Sequence, residues 1–195
     1  MIKLLLVMLW AATVENAVFT RALGSSQLLI ETGKPRGMFG LSAMLTFMMT
    51  VSALLCTPVT ALADLIFTNA YIGRPVAMTV AIAAVYALIC LLLWFVSPRT
   101  YRRVASRLAF ASFNGALLGC VLIMQDRGYD LVEQLGYAIG GAAGFILAIV
   151  IVREGERRIA ISRVPKVFRG YPATLIYIGL VSLAVFSLLG HKLPT

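Results

Sequence analysis

Charged side chains are scarce in this chain of 195 residues: they make up 13% of it, whereas hydrophobic residues make up 61%. A soluble domain carries about 25% charged and about 45–50% apolar residues. One globular core cannot bury such an excess of apolar side chains. The composition therefore excludes an ordinary soluble domain and indicates an integral membrane protein.

Residues and motifs that hold metals or nucleotides are also few. The chain has one histidine, and its three cysteines, Cys56, Cys90 and Cys120, stand singly among apolar residues without a C-x-x-C pair. Isolated thiols of this kind usually behave as small buried hydrophobes. The sequence has no Walker motif and no G-x-G-x-x-G motif in a strand–helix context. With short connections between its apolar segments, it predicts a single membrane domain over 1–195.

Long apolar segments are what the sequence has in abundance. A hydrocarbon core of about 30 Å requires about 20 apolar residues per helix. Six segments meet this requirement: 2–23, 38–67, 75–96, 104–125, 131–152 and 171–189. The first begins like a secretory signal, but its apolar character continues past Asn16, so we expect it to remain as the first transmembrane helix. The predicted fold class is all-α, with six transmembrane helices.

The basic residues are concentrated on one side of the predicted membrane. Thirteen of the 17 Lys and Arg residues fall at the first, third and fifth loops, including Lys34 and Arg36 in the first. The other side keeps only Lys3, Arg74, Arg127 and Lys192. By the positive-inside rule, we expect the odd loops in the cytoplasm and both termini on the outer side of a bacterial inner membrane.

The first apolar segment contains costly polar residues. A continuous helix places Glu15 about 20 Å deep, and a carboxylate there costs several kcal/mol unless it is paired or hydrated. Arg21 lies close enough to the cytoplasmic interface to reach it, about 240° around that helix from Glu15. Glu15 therefore needs another partner, or the helix is interrupted. The sequence Gly24-Ser25-Ser26 favours an interruption.

The fourth segment repeats this pattern, because Asn114 is followed by Gly115 just as Asn16 in the first segment is followed by small residues and a glycine. We predict two inverted three-helix repeats, about 1–97 and 104–190, whose first and fourth helices are interrupted. Glu15, Asn16 and Asn114 would then form an intramembrane polar site. Equally, the two asparagines can be hydrogen-bonded packing residues.

The fifth loop is rich in arginine and is interrupted by Val164-Pro165, so it is not simply a helical extension. One interpretation is a solvated loop beside anionic lipid headgroups. The other is a docking surface for a cytoplasmic partner. Its candidate docking residues are Arg157, Arg158, Arg163 and Arg169.

Several stretches resemble one membrane-protein family. They are "VENAVFTRALG" at 14–24, "SFNGALLG" at 112–119, "YAIGGAAGFILAIV" at 137–150 and "REGERRIAISRVPKVFRGYPATLIYIGLVSLAVF" at 153–186. The last is the most specific, with Val164-Pro165, Phe168-Arg169-Gly170 and Gly179-Leu180 in register. The chain is similar to the six-span membrane subunits of Rnf complexes and of Na⁺-translocating NADH:quinone reductases, of the RnfA/NqrE type.

The resemblance implies a place in an electron-transport complex that couples redox chemistry to Na⁺ or H⁺ translocation. In such complexes, two homologous subunits of opposite topology face each other and hold a [2Fe–2S] cluster through cysteines on their interrupted helices. The partners implied are a homologous subunit of inverted topology, the other Rnf/Nqr-type subunits and the lipid bilayer; nucleic acid is not among them.

The chain departs from the family where the cluster cysteines belong. Ser26 occupies the cysteine position of the family's Leu-Gly-x-Cys element, and Gly115 occupies that of its Asn-Cys element. Because iron–sulfur clusters require thiolates, we predict that this chain binds no cluster, no metal and no other cofactor and has no catalytic residue. Glu15 becomes a candidate carrier of a proton or Na⁺. The alternative function is a small six-helix transporter or accessory protein that has lost electron transfer.

Overall fold

The computed structural model describes residues 2–32 and 38–188. Lys34, Arg36, Lys192 and the last residue of the sixth predicted span, residue 189, lie outside the described residues. Within them, the regular structure is entirely helical. The elements are α1 (Ile2–Thr13), α2 (Ser25–Thr32), α3 (Met38–Ile66), α4 (Ala70–Val96), α5 (Pro98–Ser112), α6 (Gly115–Asp126), α7 (Leu131–Ile161), a 3₁₀ turn (Lys166–Phe168) and α8 (Tyr171–Leu188).

Three of the described helices, α3, α4 and α7, are each long and apolar enough to cross a membrane. Helices α5 and α6 qualify together as a fourth span, which is bent by 48° at its break. Helices α1 and α8 are apolar but shorter. The predicted all-helical membrane protein is confirmed at this level, with three spans, or four when the bent pair is counted as one.

The helix bounds differ from the predicted spans where local sequence overrides hydropathy. Helix α5 begins within the predicted third loop, because the side chain of Ser97 caps it by accepting a hydrogen bond from the backbone N–H of Thr100, and Pro98 suits a first helical turn. Helix α7 continues to Ile161, through nine residues of the predicted fifth loop. It stops just before Val164-Pro165, where the sequence predicts a break.

Small residues bring α1 and α7 into close contact. A Cβ atom at Gly136 would lie 2.9 Å from the carbonyl oxygen of Leu4, and one at Gly144 would lie 2.9 Å from that of Ala12. Gly140 faces the backbone of Met8 between them. The contacts advance in the same direction along both chains, so the two helices run parallel. The glycine-rich run therefore serves helix packing, as its position in an apolar span indicates.

Helix α7 is the centre of the bundle. In its most apolar 18-residue segment, 61% is buried by the rest of the chain, whereas the corresponding segment of α4 is only 11% buried. Phe145 and Tyr137 of α7 are fully buried, together with Met48 of α3 and Leu117 of α6. This central helix is the surface against which both interrupted segments are placed.

Candidate functional site

The first break separates α1 from α2 and occupies residues 14–24. Here the backbone forms a compact turn instead of a helix, with the N–H of Leu23 donating to the carbonyl of Ala17 over 2.7 Å. Asn16 holds this turn and is 1% exposed. Its amide nitrogen donates to the carbonyls of Ala12 (3.1 Å) and Gly144 (2.8 Å), and its oxygen accepts from the backbone of the turn. One side chain thus satisfies a carbonyl left free at the end of α1 and ties the break to α7.

The second break separates α5 from α6 at residues 113–114. The side-chain oxygen of Asn114 accepts a hydrogen bond of 2.9 Å from the backbone N–H of Ala116, so Asn114 is the N-cap of α6. The residue is 2% exposed. Its amide nitrogen is buried without a hydrogen-bond partner among the described residues. The expected interruption at Asn114 and Gly115 is therefore present, and Asn114 caps the helix that follows it.

Gln27 joins the two breaks directly. Its amide nitrogen donates to the carbonyl oxygen of Phe113 over 2.6 Å, and its amide oxygen accepts from the N–H of Gly115 over 3.3 Å. Phe113 lies in the second break and Gly115 is the first residue of α6, whose N–H has no partner within that helix. One glutamine of α2 therefore replaces two helical hydrogen bonds of the α5–α6 span.

Two glycines allow the breaks to approach each other. A Cβ atom at Gly115 would lie 3.4 Å from the backbone nitrogen of Gly24. Gly24 has φ +73°, and a Cβ there would lie 2.7 Å from the side-chain oxygen of Asn114 and 2.9 Å from the ring of Phe145. Glycine is needed at position 24 both for its left-handed backbone and for this lack of space.

Glu15 is the centre of a charged cluster beside the first break, and it is 7% exposed. Its Oε1 accepts from the Nη2 atoms of Arg21 (3.3 Å) and of Arg127, and its Oε2 accepts from the hydroxyl of Tyr137 over 3.2 Å. Arg127 also donates to the hydroxyl of Tyr129 over 3.2 Å. The cluster contains one carboxylate and two guanidinium groups, so its formal charge is +1.

The pairing of Glu15 with Arg21 follows from the break. In a continuous helix the two side chains point in different directions, but the turn at 14–24 folds Arg21 back towards the carboxylate. The other partners, Arg127 after α6 and Tyr137 of α7, come from the second half of the chain. These two contacts, and the contact of Gln27, were not predicted. The sequence singles out Arg127 alone among these residues, as one of the few basic residues on its predicted side.

The three residues predicted to form one polar site make distinct contacts. Asn16 binds the backbone of α7 and Asn114 caps α6, while Glu15 contacts two arginines and a tyrosine. The two breaks are brought together through Gly24, Gln27 and Gly115.

Ser26 and Gly115, where the resemblance places cluster cysteines, carry no thiolate. Ser26 precedes Gln27, which binds Gly115, so the two positions lie at the same junction, and both are exposed. Ser26 offers a hydroxyl and Gly115 no side chain at all, whereas such clusters require thiolates. Cys56 of α3 and Cys120 of α6 are buried. In the described part of the chain, no group of three or more His, Cys, Asp or Glu side chains is arranged to hold a metal ion.

The exposed residues at this junction form what we call the break surface. It comprises Arg21, Ala22, Ser26, Phe113 and Gly115. The second break lies in the interior of the α5–α6 span, with fifteen helical residues before it and twelve after it. Non-helical backbone at membrane depth is tolerated only where protein or a water-filled cavity covers it. The break surface is therefore a part of the chain that requires a cover.

The four predicted docking arginines lie between the end of α7 and the start of α8, and all are exposed. Arg157 and Arg158 extend from the end of α7, where Arg158 pairs with Glu154 over 3.2 Å. Arg163 lies in the connection that follows. Arg169 lines a groove of about 450 Å³ together with Glu156 and Tyr171, between α7 and the start of α8.

Comparison with known proteins gives a match over almost the whole chain. Residues 4–191 match the family model described as "Rnf-Nqr subunit, membrane protein". The chain is 32% identical over 190 residues to the A-type component of the ion-translocating oxidoreductase complex of Syntrophotalea carbinolica, covering 96% of this chain and 97% of that protein. It is 30% identical over 190 residues to the A-type component of the Na⁺-translocating ferredoxin:NAD⁺ oxidoreductase complex of Acetobacterium woodii, covering 97% of this chain and 98% of that protein.

Proposed function

The chain belongs to the family of Rnf-Nqr membrane subunits, and on this premise we propose that it is the A-type membrane component of an ion-translocating oxidoreductase complex. In this role it works with other Rnf-type subunits in a complex that couples electron transfer to the movement of Na⁺ or H⁺. The chain itself supplies a membrane scaffold and a polar junction, without a catalytic side chain.

The observation that carries the proposal is the junction of two interrupted helices, with the break surface exposed on this chain. Exposed irregular backbone inside a span needs a protein cover. A homologous subunit of inverted topology suits this need, because it presents two breaks of its own at the same depth. Such a pair covers both sets of breaks around one axis.

The order of the helices supports two repeats, about 1–97 and 104–190. Each half has a broken pair (α1 with α2, α5 with α6) followed by two further helices. With three spans per half, the second repeat is inverted relative to the first. The parallel packing of α1 and α7 agrees with this topology, because the first and fifth spans both enter from the outer side. Together with the basic loops, it supports a six-span protein of the bacterial inner membrane with both termini outside.

Glu15, Asn16 and Asn114 constitute the intramembrane polar site of this subunit, and their contacts favour different roles. Asn16 and Asn114 define the ends of the helices. Glu15 is held by the guanidinium groups of Arg21 and Arg127 and by the phenol of Tyr137, and it acts as a fixed counter-ion of the two arginines. A carboxylate in that setting is a poor carrier of a proton or Na⁺, because each must displace an arginine.

The subunit takes part in the complex without ligating a [2Fe–2S] cluster. This part of the proposal rests on the lack of a thiolate at Ser26 and Gly115. The same lack favours a second candidate function. That candidate is an accessory or transport subunit that keeps the scaffold after electron transfer has been lost. Under both candidate functions, the docking surface for cytoplasmic subunits consists of Arg157, Arg158, Arg163 and Arg169.

The test is purification from native membranes in mild detergent, followed by identification of the proteins that remain bound. The proposal expects a homologous membrane subunit together with flavin-binding or ferredoxin-like subunits of the same complex, and ion uptake by the reconstituted complex that depends on electron donor. Copurification with a transport protein alone, with no redox subunit, would instead support the second candidate.

A further inference from the structure

The charged cluster at Glu15 is unbalanced, and its excess charge is on Arg21. The carboxylate accepts three hydrogen bonds, from Arg21, Arg127 and Tyr137, and its single negative charge is shared by two guanidinium groups. Among the side chains that the structure describes, no further acid pairs with Arg21 or Arg127. One positive charge therefore remains beside the first break.

Arg21 is the less satisfied of the two cations. Arg127 contacts Glu15 closely and donates a second bond to Tyr129. Arg21 contacts Glu15 at 3.3 Å, longer than the about 2.7–2.9 Å usual for a charge-assisted bond, and the described residues give it no second acceptor. Its side chain is 46% exposed. Arg21 therefore presents free N–H groups at the break surface.

The position of Arg21 indicates what meets this charge. An exposed guanidinium within the span is costly unless it is paired or hydrated. The guanidinium of Arg21 shares the Glu15 carboxylate with that of Arg127, and Arg21 belongs to the break surface, which requires a protein cover. The planar fork of arginine matches a carboxylate, which accepts two parallel hydrogen bonds.

We infer that Arg21 forms an intersubunit ion pair with an Asp or Glu side chain of the membrane subunit that covers the break surface. This inference rests on the proposed function and adds the chemistry of the partner: an acid placed inside the membrane, opposite the first break. The pair neutralises the cluster, so that Glu15 and the partner's acid share Arg21 and Arg127.

The first experiment compares complexes purified from native membranes with Arg21 replaced. We expect Arg21→Gln to reduce retention of the homologous membrane subunit about tenfold or more, and Arg21→Lys to keep part of it, because it keeps the charge but not the fork. Arg74→Gln is the matched control, since Arg74 of α4 pairs with Asp64 of α3 and is not a residue of the break surface. The unfolding temperature of each isolated chain separates loss of association from loss of folding.

The second experiment places a photo-crosslinking amino acid at position 21 of the intact complex. A crosslinked peptide of the homologous subunit that contains an Asp or Glu supports the inference, and reversing that acid to Arg in an Arg21→Glu background should restore retention. Crosslinks to phospholipid alone, or Arg21→Gln retention equal to the wild type, overturn it while the proposed function stands. If the wild-type chain retains no Rnf-type subunit, the proposed function fails, and the inference fails with it.

Discussion

At the scale of single residues, the junction depends most on Gly24. We predict that Gly24→Ala destabilises the protein by about 2–5 kcal/mol, because a Cβ meets Asn114 and Phe145 in addition to the strain of a left-handed backbone. Gly128→Ala is the matched control: its φ is +61°, and a Cβ there meets nothing within 4 Å. It should cost only the backbone part, about 1–2 kcal/mol. Denaturant unfolding in detergent measures both, and equal losses would contradict the crowding at Gly24.

Glu15 is a second residue with a defined expected cost. Glu15→Gln leaves Arg21 and Arg127 without their buried counter-ion. We expect a loss of about 2–4 kcal/mol in the free energy of unfolding, below the 3–5 kcal/mol of a fully buried pair because both arginines are partly exposed. Glu154→Gln, which removes an exposed helical pair with Arg158, should change it by less than about 0.5 kcal/mol.

The two roles considered for Glu15 make different predictions for ion transport. A fixed counter-ion predicts that any Glu15→Gln complex that still assembles retains its ratio of ions moved per electron. An ion carrier predicts assembly at wild-type levels with that ratio lost. Sodium or proton uptake by reconstituted vesicles, measured together with electron transfer, distinguishes them.

At the scale of helices, Gln27 is the link whose removal should have a local effect. We expect Gln27→Ala to destabilise the fold by about 1–3 kcal/mol, since the carbonyl of Phe113 and the N–H of Gly115 lose their partner. Hydrogen exchange should accelerate at Gly115, whereas the N–H of Tyr71, capped by Asn69, should be unaffected. Thr50→Val is the stability control, because its hydroxyl donates to the carbonyl of Thr46 within the same helix. Unchanged exchange at Gly115 would show that Gln27 does not hold the break.

The helices also show how far the sequence predicts this fold. Hydropathy locates the apolar segments, and the small polar residues locate both interruptions. The sequence does not predict that α1 ends at Thr13, ten residues before its apolar run does. The end of α1 depends on Asn16, which binds the carbonyls of Ala12 and Gly144. Residue 144 is 128 positions away, and no local pattern reports such a contact.

The site was predictable to the same extent. Glu15, Asn16 and Asn114 are recognisable because polar groups are costly in an apolar run. Their partners are not, because Arg127 and Tyr137 meet Glu15 only when α7 packs parallel to α1. Gln27 follows two serines in a stretch where polar residues suggest only a turn.

At the scale of the whole molecule, the charge distribution makes a testable statement about orientation. In a variant whose three native cysteines are replaced, we expect Asp126→Cys to react with a membrane-impermeant maleimide added outside intact cells, and Arg157→Cys to react only in inverted vesicles. Both positions are exposed, at opposite ends of the bundle, so burial does not confuse the result. Labelling of both from the same side would contradict the six-span topology.

The cluster question also belongs to the assembled molecule, because a partner subunit holding its own cysteines can bring iron to the break surface. We predict that replacing Cys56, Cys90 and Cys120 by serine leaves any [2Fe–2S] electron paramagnetic resonance signal of the purified complex unchanged, and that Ser26→Ala does so too. The three thiols stand on separate helices, α3, α4 and α6, Cys56 and Cys120 are buried, and a hydroxyl is a poor iron ligand. If the signal disappears in any of these variants while the partner subunit is still retained, this chain does supply a ligand, and its departure from the family at Ser26 and Gly115 has been compensated elsewhere in the fold.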